Sequence, residues 1–146
     1  MGRPTTLTKQ WLLDHHIVDV TKDGRVFAKS RQGEVYEIRP YITRKKTKYS
    51  VQEYYMIGIY DKEERERQKV SYEAKGTIAC GVKPLVLSRV MYAWFYNEAP
   101  SGMDVDHINN DSLDNRIENL QLLTRAENLA KRKGYRNQFE SSYRGE

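Results

Sequence analysis

The sequence predicts an α+β fold in which a small N-terminal antiparallel β-sheet precedes a strand–loop–strand–helix segment with a flanking helix. Short apolar runs separated by tight-turn pairs fill the first part of the chain, and the last part combines two apolar strands with a capped helix. A run of charged residues at 61–69 lies between the two parts. We therefore expect a β-rich region over residues 1–69 and a second domain over residues 70–146.

The N-terminal strands are predicted from turn chemistry. Asp23-Gly24 is a strong tight-turn pair with valines on both sides, which predicts a hairpin over residues 18–27. Gln32-Gly33 is a second turn, and a strand over 34–39 should follow it. Residues 49–60 are rich in Tyr, Val and Ile, which favour a further strand.

The charge run at 61–69 is compatible with a solvated helix or with a long hairpin tip. After it, residues 83–87 should form a short strand, and Ser88 can cap a helix that runs to about Asn97. Four large apolar residues fall on one face of this helix, which indicates core packing rather than a cofactor site. They are Val90, Met91, Trp94 and Phe95.

Composition limits the classes of protein to consider. The 146 residues carry a net charge of +5, which favours polyanionic partners, nucleic acid before an anionic membrane. The one cysteine, Cys80, allows neither a disulfide within the chain nor a cysteine-based zinc site. No apolar run reaches the ~18 residues of a membrane span, and residues 1–10 lack the apolar stretch of a signal peptide. We therefore expect an intracellular, cytoplasmic protein with no membrane partner.

Tyrosines, lysines and arginines interleave between residues 36 and 60, where strands are predicted. A strand face that carries Lys and Arg can lie along a phosphate backbone. An ordinary exposed sheet face would have the same composition, so the pattern alone leaves both interpretations open. The candidate DNA-binding residues in this stretch are Arg44, Lys45, Lys46 and Lys48.

The most informative segment is 103–135. Strands are expected over 105–108 and 120–123, with an Asn- and Asp-rich loop between them that side-chain hydrogen bonds would fix. Thr124 and Glu127 form a capping box, so a helix should start there, carry Asn128 in its first turn and end near Gly134. Asp106 and His107 alternate along the first strand and would not share a face if it were regular.

These residues resemble the HNH, or ββα-metal, nuclease motif in the form common in phage-encoded homing endonucleases. That form has Asp-His at the end of the first strand, Asn-Leu at the start of the second, and a polar residue on the helix. Here these are Asp106-His107, Asn119-Leu120 and Asn128, and the steps from 107 to 119 and from 119 to 128 are 12 and 9 residues. The resemblance covers about 84–134, and 17–27 is similar to short strand modules that precede the motif in phage enzymes.

The resemblance implies a metal-dependent DNA endonuclease. Asp106 and Asn128 would bind one divalent cation, Mg²⁺ before Mn²⁺, because their oxygens are hard ligands. Many relatives have His in place of Asn128 and accept softer metals. His107 would be the general base, since an imidazole is largely neutral at slightly alkaline pH. Asn119 would act with it by holding the loop in place, although it could equally be a structural turn residue.

The implied partner is double-stranded DNA, with one strand nicked per site, in the cytoplasm of the host cell if the gene is phage-borne. Basic residues on the last helix could contact phosphates, although helix solubility explains them equally well. A DNA-binding protein that retains the fold without cutting is the main alternative. An RNA-binding β-sheet protein is a third, but it does not account for the motif. The helix residues concerned are Arg125, Lys131, Arg132 and Lys133.

Overall fold

The computed structural model describes residues 6–48, 50–75 and 81–133, with the side chains of 70–75 left out. Cys80 and Gly134 lie outside these residues, so the predictions made for them stay predictions. The described part mixes helices with small antiparallel sheets, as the α+β prediction requires.

The chain enters the fold through a short strand and a short helix. Strand β1 (Leu7–Thr8) pairs with β8 (Glu98–Ala99), and helix α1 (Lys9–Asp14) follows it directly. Thr8 caps this helix, because its Oγ1 accepts a hydrogen bond from the Trp11 N–H at 3.0 Å. Neither β1 nor α1 was predicted, since a helix this short shows no clear apolar periodicity.

The first predicted hairpin is confirmed. Strands β2 (Ile17–Val20), β3 (Val26–Lys29) and β4 (Val35–Ile38) form one antiparallel sheet in that order. Gly24 has φ +99° and Gly33 has φ +88°, which are conformations that other residues rarely adopt. The two glycines thus set both turns, as their positions predicted.

A second three-stranded sheet joins the two parts of the chain. Strands β5 (Tyr41–Lys46), β6 (Val51–Tyr60) and β7 (Val82–Val86) pair in that order, all antiparallel. Strand β6 precedes the boundary expected at 69/70 and β7 follows it. One sheet therefore contains strands from both parts, as does the β1–β8 pair.

The charge run forms a helix, so the alternative of a hairpin tip is wrong. Helix α2 (Lys62–Lys75) starts after Asp61, which is 5% exposed. The Asp61 carboxylate accepts a hydrogen bond from the Glu63 N–H at 3.2 Å and lies 3.3 Å from Nε2 of His15. Most side chains described in its first two turns are exposed, which explains how the helix tolerates so many charges.

Helix α3 (Leu87–Tyr96) packs at the centre of the molecule and corrects one prediction. Strand β7 runs into the helix without a loop, so Val86 occupies the N-cap position and makes no side-chain cap bond. Ser88 is therefore inside the helix, buried at 4% exposure, and does not cap it. The predicted apolar face is in place: Val90 and Met91 are fully buried.

The last described elements follow the predicted order. Strand β9 (Met103–His107) pairs antiparallel with β10 (Leu120–Thr124), and a 3-10 turn (Ile117–Asn119) ends the loop between them. Residues 125–133, named α4 here, are helical. The capping box is confirmed, since the Thr124 N–H donates to Glu127 Oε1 at 3.0 Å and the Glu127 N–H to Thr124 Oγ1 at 3.1 Å.

One buried apolar cluster links these elements. It includes Leu12 of α1, Val26 of β3, Ile57 of β6 and Met91 of α3, each with 0% exposure. Burial of such side chains is the main stabilising term in a domain of this size. Among the described residues, no helix combines the length and the apolar character that crossing a bilayer requires.

Candidate active site

Strand β9 sends its acidic side chains to one face. Residues alternate along a strand, so Asp104 and Asp106 share a face and His107 points to the other. Gln121 lies opposite Asp106 in the register, and its Nε2 donates to Asp106 Oδ2 at 2.8 Å. The separation of Asp106 from His107 that the alternation predicts is thus present in the structure.

Helix α4 crosses the acidic face of β9. Asn128, 9% exposed, donates from Nδ2 to Asp104 Oδ2 at 2.8 Å. Asn128 was predicted to share a cation with Asp106, but in the structure it contacts Asp104, two positions earlier on the strand. Asp104 was not predicted as a site residue. Its position two residues before Asp106 places it on the same strand face, and that spacing could have indicated it.

Lys131, one turn further along α4, reaches Asp106. Its Nζ donates to Asp106 Oδ2 at 2.5 Å, to the His107 carbonyl at 2.9 Å and to the Ile108 carbonyl at 3.3 Å. The side chains of Lys131 and Asp106 are 25% and 13% exposed. In this conformation the ammonium group, predicted to contact DNA, is held at the carboxylate.

His107 lies at the end of β9 and faces the loop instead of the helix. Its Nε2 is 2.8 Å from Oδ1 of Asn115, which is 6% exposed. Asn115 was not predicted as a site residue, because one asparagine among many polar loop residues carries no distinguishing signal.

Asn119 ties the two ends of the loop together. Its Oδ1 accepts from the Asn109 N–H at 3.1 Å, and its Nδ2 donates to Asn109 Oδ1 at 3.0 Å and to the Asp114 carbonyl at 2.8 Å. The Ile108 N–H, next to His107, donates to the Asn119 carbonyl at 2.8 Å. With 6% exposure, Asn119 is a buried brace of the loop.

An ion pair strengthens the same loop. Arg116 donates to Asp114 through Nε and Nη2, both at 2.8 Å, and to Glu118 at 3.1 Å. The Arg116 guanidinium holds the pKa of the Asp114 carboxyl well below its usual range. Asp114 in turn raises the pKa of Arg116. Both groups therefore stay charged throughout the neutral range.

A polar pocket of about 480 Å³ opens beside Asp104 and Asn128. Arg89, Arg125 and Arg132 line it. Arg89 is committed to the main chain, because it donates to the carbonyls of Ala99, Pro100 and Met103 at 2.7–3.1 Å. Burial lowers its pKa, and the nearby Asp104 opposes that shift. The pocket thus combines a fixed cation with the exposed cations of α4.

A groove of about 800 Å³ separates α4 from the β5–β6 connection. Thr47, Ser50 and Gln52 line one side, and the α4 side includes Arg132 and Lys133. All four cations predicted for DNA binding on the hairpin are exposed. Arg44 forms an ion pair with Glu53 at 3.0 Å, and Lys45 lies opposite Gln52 in the register. Lys45 therefore lies on the same face of the sheet as Gln52, which lines the groove.

The donors near α4 can be tested against the metal that the motif implies. The two carboxylates of Asp104 and Asp106 and the amide of Asn128 are oxygen ligands of the kind that Mg²⁺ takes. Within the described ranges, no group of three or more His, Cys, Asp or Glu is arranged as a metal site. By their chemistry these oxygens suit a hard cation, but in the structure Asp106 contacts Lys131 and Asp104 accepts from the Asn128 NH₂.

Part of the chain matches a known protein family. Residues 86–130 match the model of the HNH endonuclease family. The match runs from the end of β7 into α4 and contains Asp106, His107, Asn119 and Asn128, so this segment is similar to HNH endonucleases. Comparisons of the chain with curated proteins and with solved structures gave no match.

Proposed function

We propose that the protein is a metal-dependent endonuclease that hydrolyses phosphodiester bonds in double-stranded DNA and nicks one strand per site. The observation that carries this proposal is the HNH match over 86–130, which contains Asp106, His107, Asn119 and Asn128. The spacing of these residues also favours the phage homing-endonuclease-like subgroup, with the host cytoplasm as the place of action.

Asp106 and Asn128 would hold the cation, Mg²⁺ before Mn²⁺, and Asp104, which accepts a hydrogen bond from Asn128, would be a further oxygen ligand. A bound divalent ion would offset charge on the phosphate and on the leaving 3′ oxygen. Lys131 would leave Asp106 as the site loads and would then be available to a phosphate.

His107 is the last residue of β9 and faces away from Asp106, so it would have to act from the end of the strand to take a proton from the attacking water. Asn119 supports this assignment indirectly, since its hydrogen bonds hold the loop that follows His107. A base of this kind contributes about 10²–10⁴-fold to a rate. Orientation matters as much, because a misplacement of ~1 Å can cost ~100-fold.

The DNA would lie across α4 and the β5–β6 hairpin. Arginine and lysine side chains border both the pocket and the groove, and such contacts position a duplex through its phosphates. The N-terminus of α4 adds the partial positive charge of a helix end. The proposed contact residues are Arg44, Lys45, Lys46, Lys48, Arg125, Lys131, Arg132 and Lys133.

The proposal is tested by incubating supercoiled plasmid with the protein in Mg²⁺, Mn²⁺ or Zn²⁺, with and without EDTA. We expect nicked circles in Mg²⁺ and Mn²⁺, none with EDTA, and loss of nicking in His107→Ala with DNA binding retained. His16→Asn is the matched control: His16 is exposed with φ +70°, a conformation that asparagine tolerates. Wild-type cutting by His107→Ala would refute the assigned base.

A second candidate function is a DNA-binding protein that keeps the fold and does not cut. The specific observation in its favour is that both carboxylates facing α4 are contacted by protein groups, Asp106 by Lys131 and Asp104 by Asn128. DNA binding without nicking in any of the three metals would establish this alternative.

A further inference from the structure

The contact between Asn115 and His107 has consequences for which ring nitrogen carries the proton. The Asn115 oxygen lies 2.8 Å from Nε2 of His107. An amide oxygen can accept hydrogen bonds but cannot donate them. With the Asn115 amide in this orientation, Nε2 carries the hydrogen and the neutral ring keeps its lone pair on Nδ1. Within the described part of the chain, Nδ1 of His107 has no hydrogen-bond partner.

We propose that Asn115 is a positioning residue that fixes His107 as the Nε2–H tautomer and leaves Nδ1 as the atom that accepts a proton. This inference rests on the proposed function for its catalytic meaning, since His107 is the base assigned there. Fixing the other ring nitrogen by a hydrogen bond is the general way in which proteins choose a histidine tautomer.

The loop holds Asn115 firmly on both sides. Before it, the Asp114 carbonyl accepts from Asn119 Nδ2 at 2.8 Å, and the Asp114 carboxylate pairs with Arg116. After it, the Ile117 N–H donates to the Lys22 carbonyl at 2.9 Å. A side chain fixed in this way, 6% exposed, loses little further freedom when it orients an imidazole.

The β2–β3 turn covers Asn115. A methyl group placed on Gly24 would lie 3.7 Å from the Asn115 Cβ, which is van der Waals contact. With φ +99°, Gly24 is a position that strongly favours glycine. The N-terminal hairpin thus lies beside this loop, and its Lys22 carbonyl braces the loop by accepting the hydrogen bond from the Ile117 N–H.

The tautomer can be measured directly by ¹⁵N NMR of the imidazole nitrogens at about pH 8. Three histidines are present, and His107→Ala assigns the signal of interest. We expect a protonated Nε2 and an unprotonated Nδ1 in the wild type, and a mixture of tautomers in Asn115→Ala. Asn115→Asp keeps an acceptor oxygen and should restore the single tautomer. Asp111→Ala is the control, because it removes a loop hydrogen bond to the Leu113 N–H without touching Asn115.

Plasmid nicking supplies the second measurement. Asn115→Ala should lower kcat about 10- to 100-fold with little change in KM for DNA, because orientation and not binding is lost. Asn115→Asp should recover most of kcat, and Asp111→Ala should cut at the wild-type rate. If Asn115 merely stabilised the loop, Asn115→Ala and Asp111→Ala would lower the unfolding temperature equally. The tautomer of His107 would then be unchanged in Asn115→Ala.

A wild-type His107 ring protonated at Nδ1 would overturn the proposal. It would also be overturned if Asn115→Ala kept the single Nε2–H tautomer and an unchanged kcat. The wild-type spectrum needs no variant, so it decides the tautomer even if Asn115→Ala does not fold. A wild type that shows the expected tautomer but cuts no DNA would refute the proposed function and leave the hydrogen bond from His107 to Asn115 intact.

Discussion

The ammonium group of Lys131 contacts the carboxylate of Asp106 and also donates to the His107 carbonyl at 2.9 Å. A protein cation thus lies where the motif places a divalent one. The pair is only partly exposed, so its attraction is screened less than that of a surface pair. If the proposed function is right, binding of a metal at Asp106 would therefore exchange one cation for another.

Lys131→Met should tighten binding of Mn²⁺ by about five-fold. A partly exposed ion pair contributes up to about 1 kcal/mol, and in the wild type the metal has to break the pair of Lys131 with Asp106 before it binds. Calorimetric titration of the protein with Mn²⁺ in the absence of DNA measures this. Lys133→Met, two residues away and exposed, is the matched control and should leave the affinity unchanged. Weaker Mn²⁺ binding in Lys131→Met would show that the lysine does not compete for Asp106.

Thr124→Ala should destabilise the protein by about 1 kcal/mol, the usual cost of removing an N-cap side chain. Asn128 lies in the first turn of α4, so fraying of that turn should also slow plasmid nicking. Urea unfolding and nicking rates measure the two effects. Thr124→Ser keeps the hydroxyl that accepts from the Glu127 N–H and should behave like the wild type. Equal effects of the two substitutions would mean that the cap is not what holds Asn128.

Arg116→Gln should lower stability at pH 7, and the deficit should shrink below about pH 4. Arg116 depresses the pKa of Asp114 in the folded state, whereas the unfolded chain has an ordinary aspartate pKa of about 3.9. Stability from the pair is therefore complete above that pH and is lost as the pH falls. Urea midpoints at pH 7, 4 and 3 measure the difference.

The control for this pH series is Arg31→Gln, since Arg31 forms no ion pair within the described ranges. Its deficit, if any, should not depend on pH between 7 and 3. A constant deficit for Arg116→Gln across the same range would contradict the electrostatic explanation.

DNA affinity should fall about 10³–10⁵-fold between 50 and 200 mM salt if six to ten phosphates are contacted, with roughly 0.9 in logarithmic slope per contact. Lys45 shares its strand face with Gln52 in the groove beside α4, whereas Lys46 points to the other face. Lys45→Gln should therefore reduce the slope by about 0.9, and Lys46→Gln by less. Fluorescence anisotropy across a salt series compares them, and equal slopes for both variants would rule out the groove as the binding face.

Local chemistry allowed much of the fold to be predicted. The Asp23-Gly24 turn, the capping box at Thr124 and the helix with Val90 and Met91 all depend on neighbours close in sequence. The prediction for Ser88 was wrong because β7 leads directly into α3, so the N-cap is Val86, two residues before Ser88, and both Leu87 and Ser88 are buried. Cap chemistry was outweighed there by tertiary packing.

At the candidate site, the order strand, loop, strand and helix was predictable. Strand alternation already separated Asp106 from His107, and motif spacing selected Asn119 and Asn128. The partners of these residues were not predictable, because they depend on where α4 crosses β9 and how the loop folds back. Contacts of Lys131 with Asp106, of Asn128 with Asp104 and of Asn115 with His107 each join residues from separate elements.

The pairing of β6 with β7 affects any attempt to transplant the site. A fragment that starts at residue 70 would lose the partner of β7, leave an open sheet edge and uncover one side of α3. We therefore expect such a fragment to aggregate instead of cutting. An engineer who wants the HNH-like segment in another protein would have to carry the long strand Val51–Tyr60 along with it, because that strand pairs with β7.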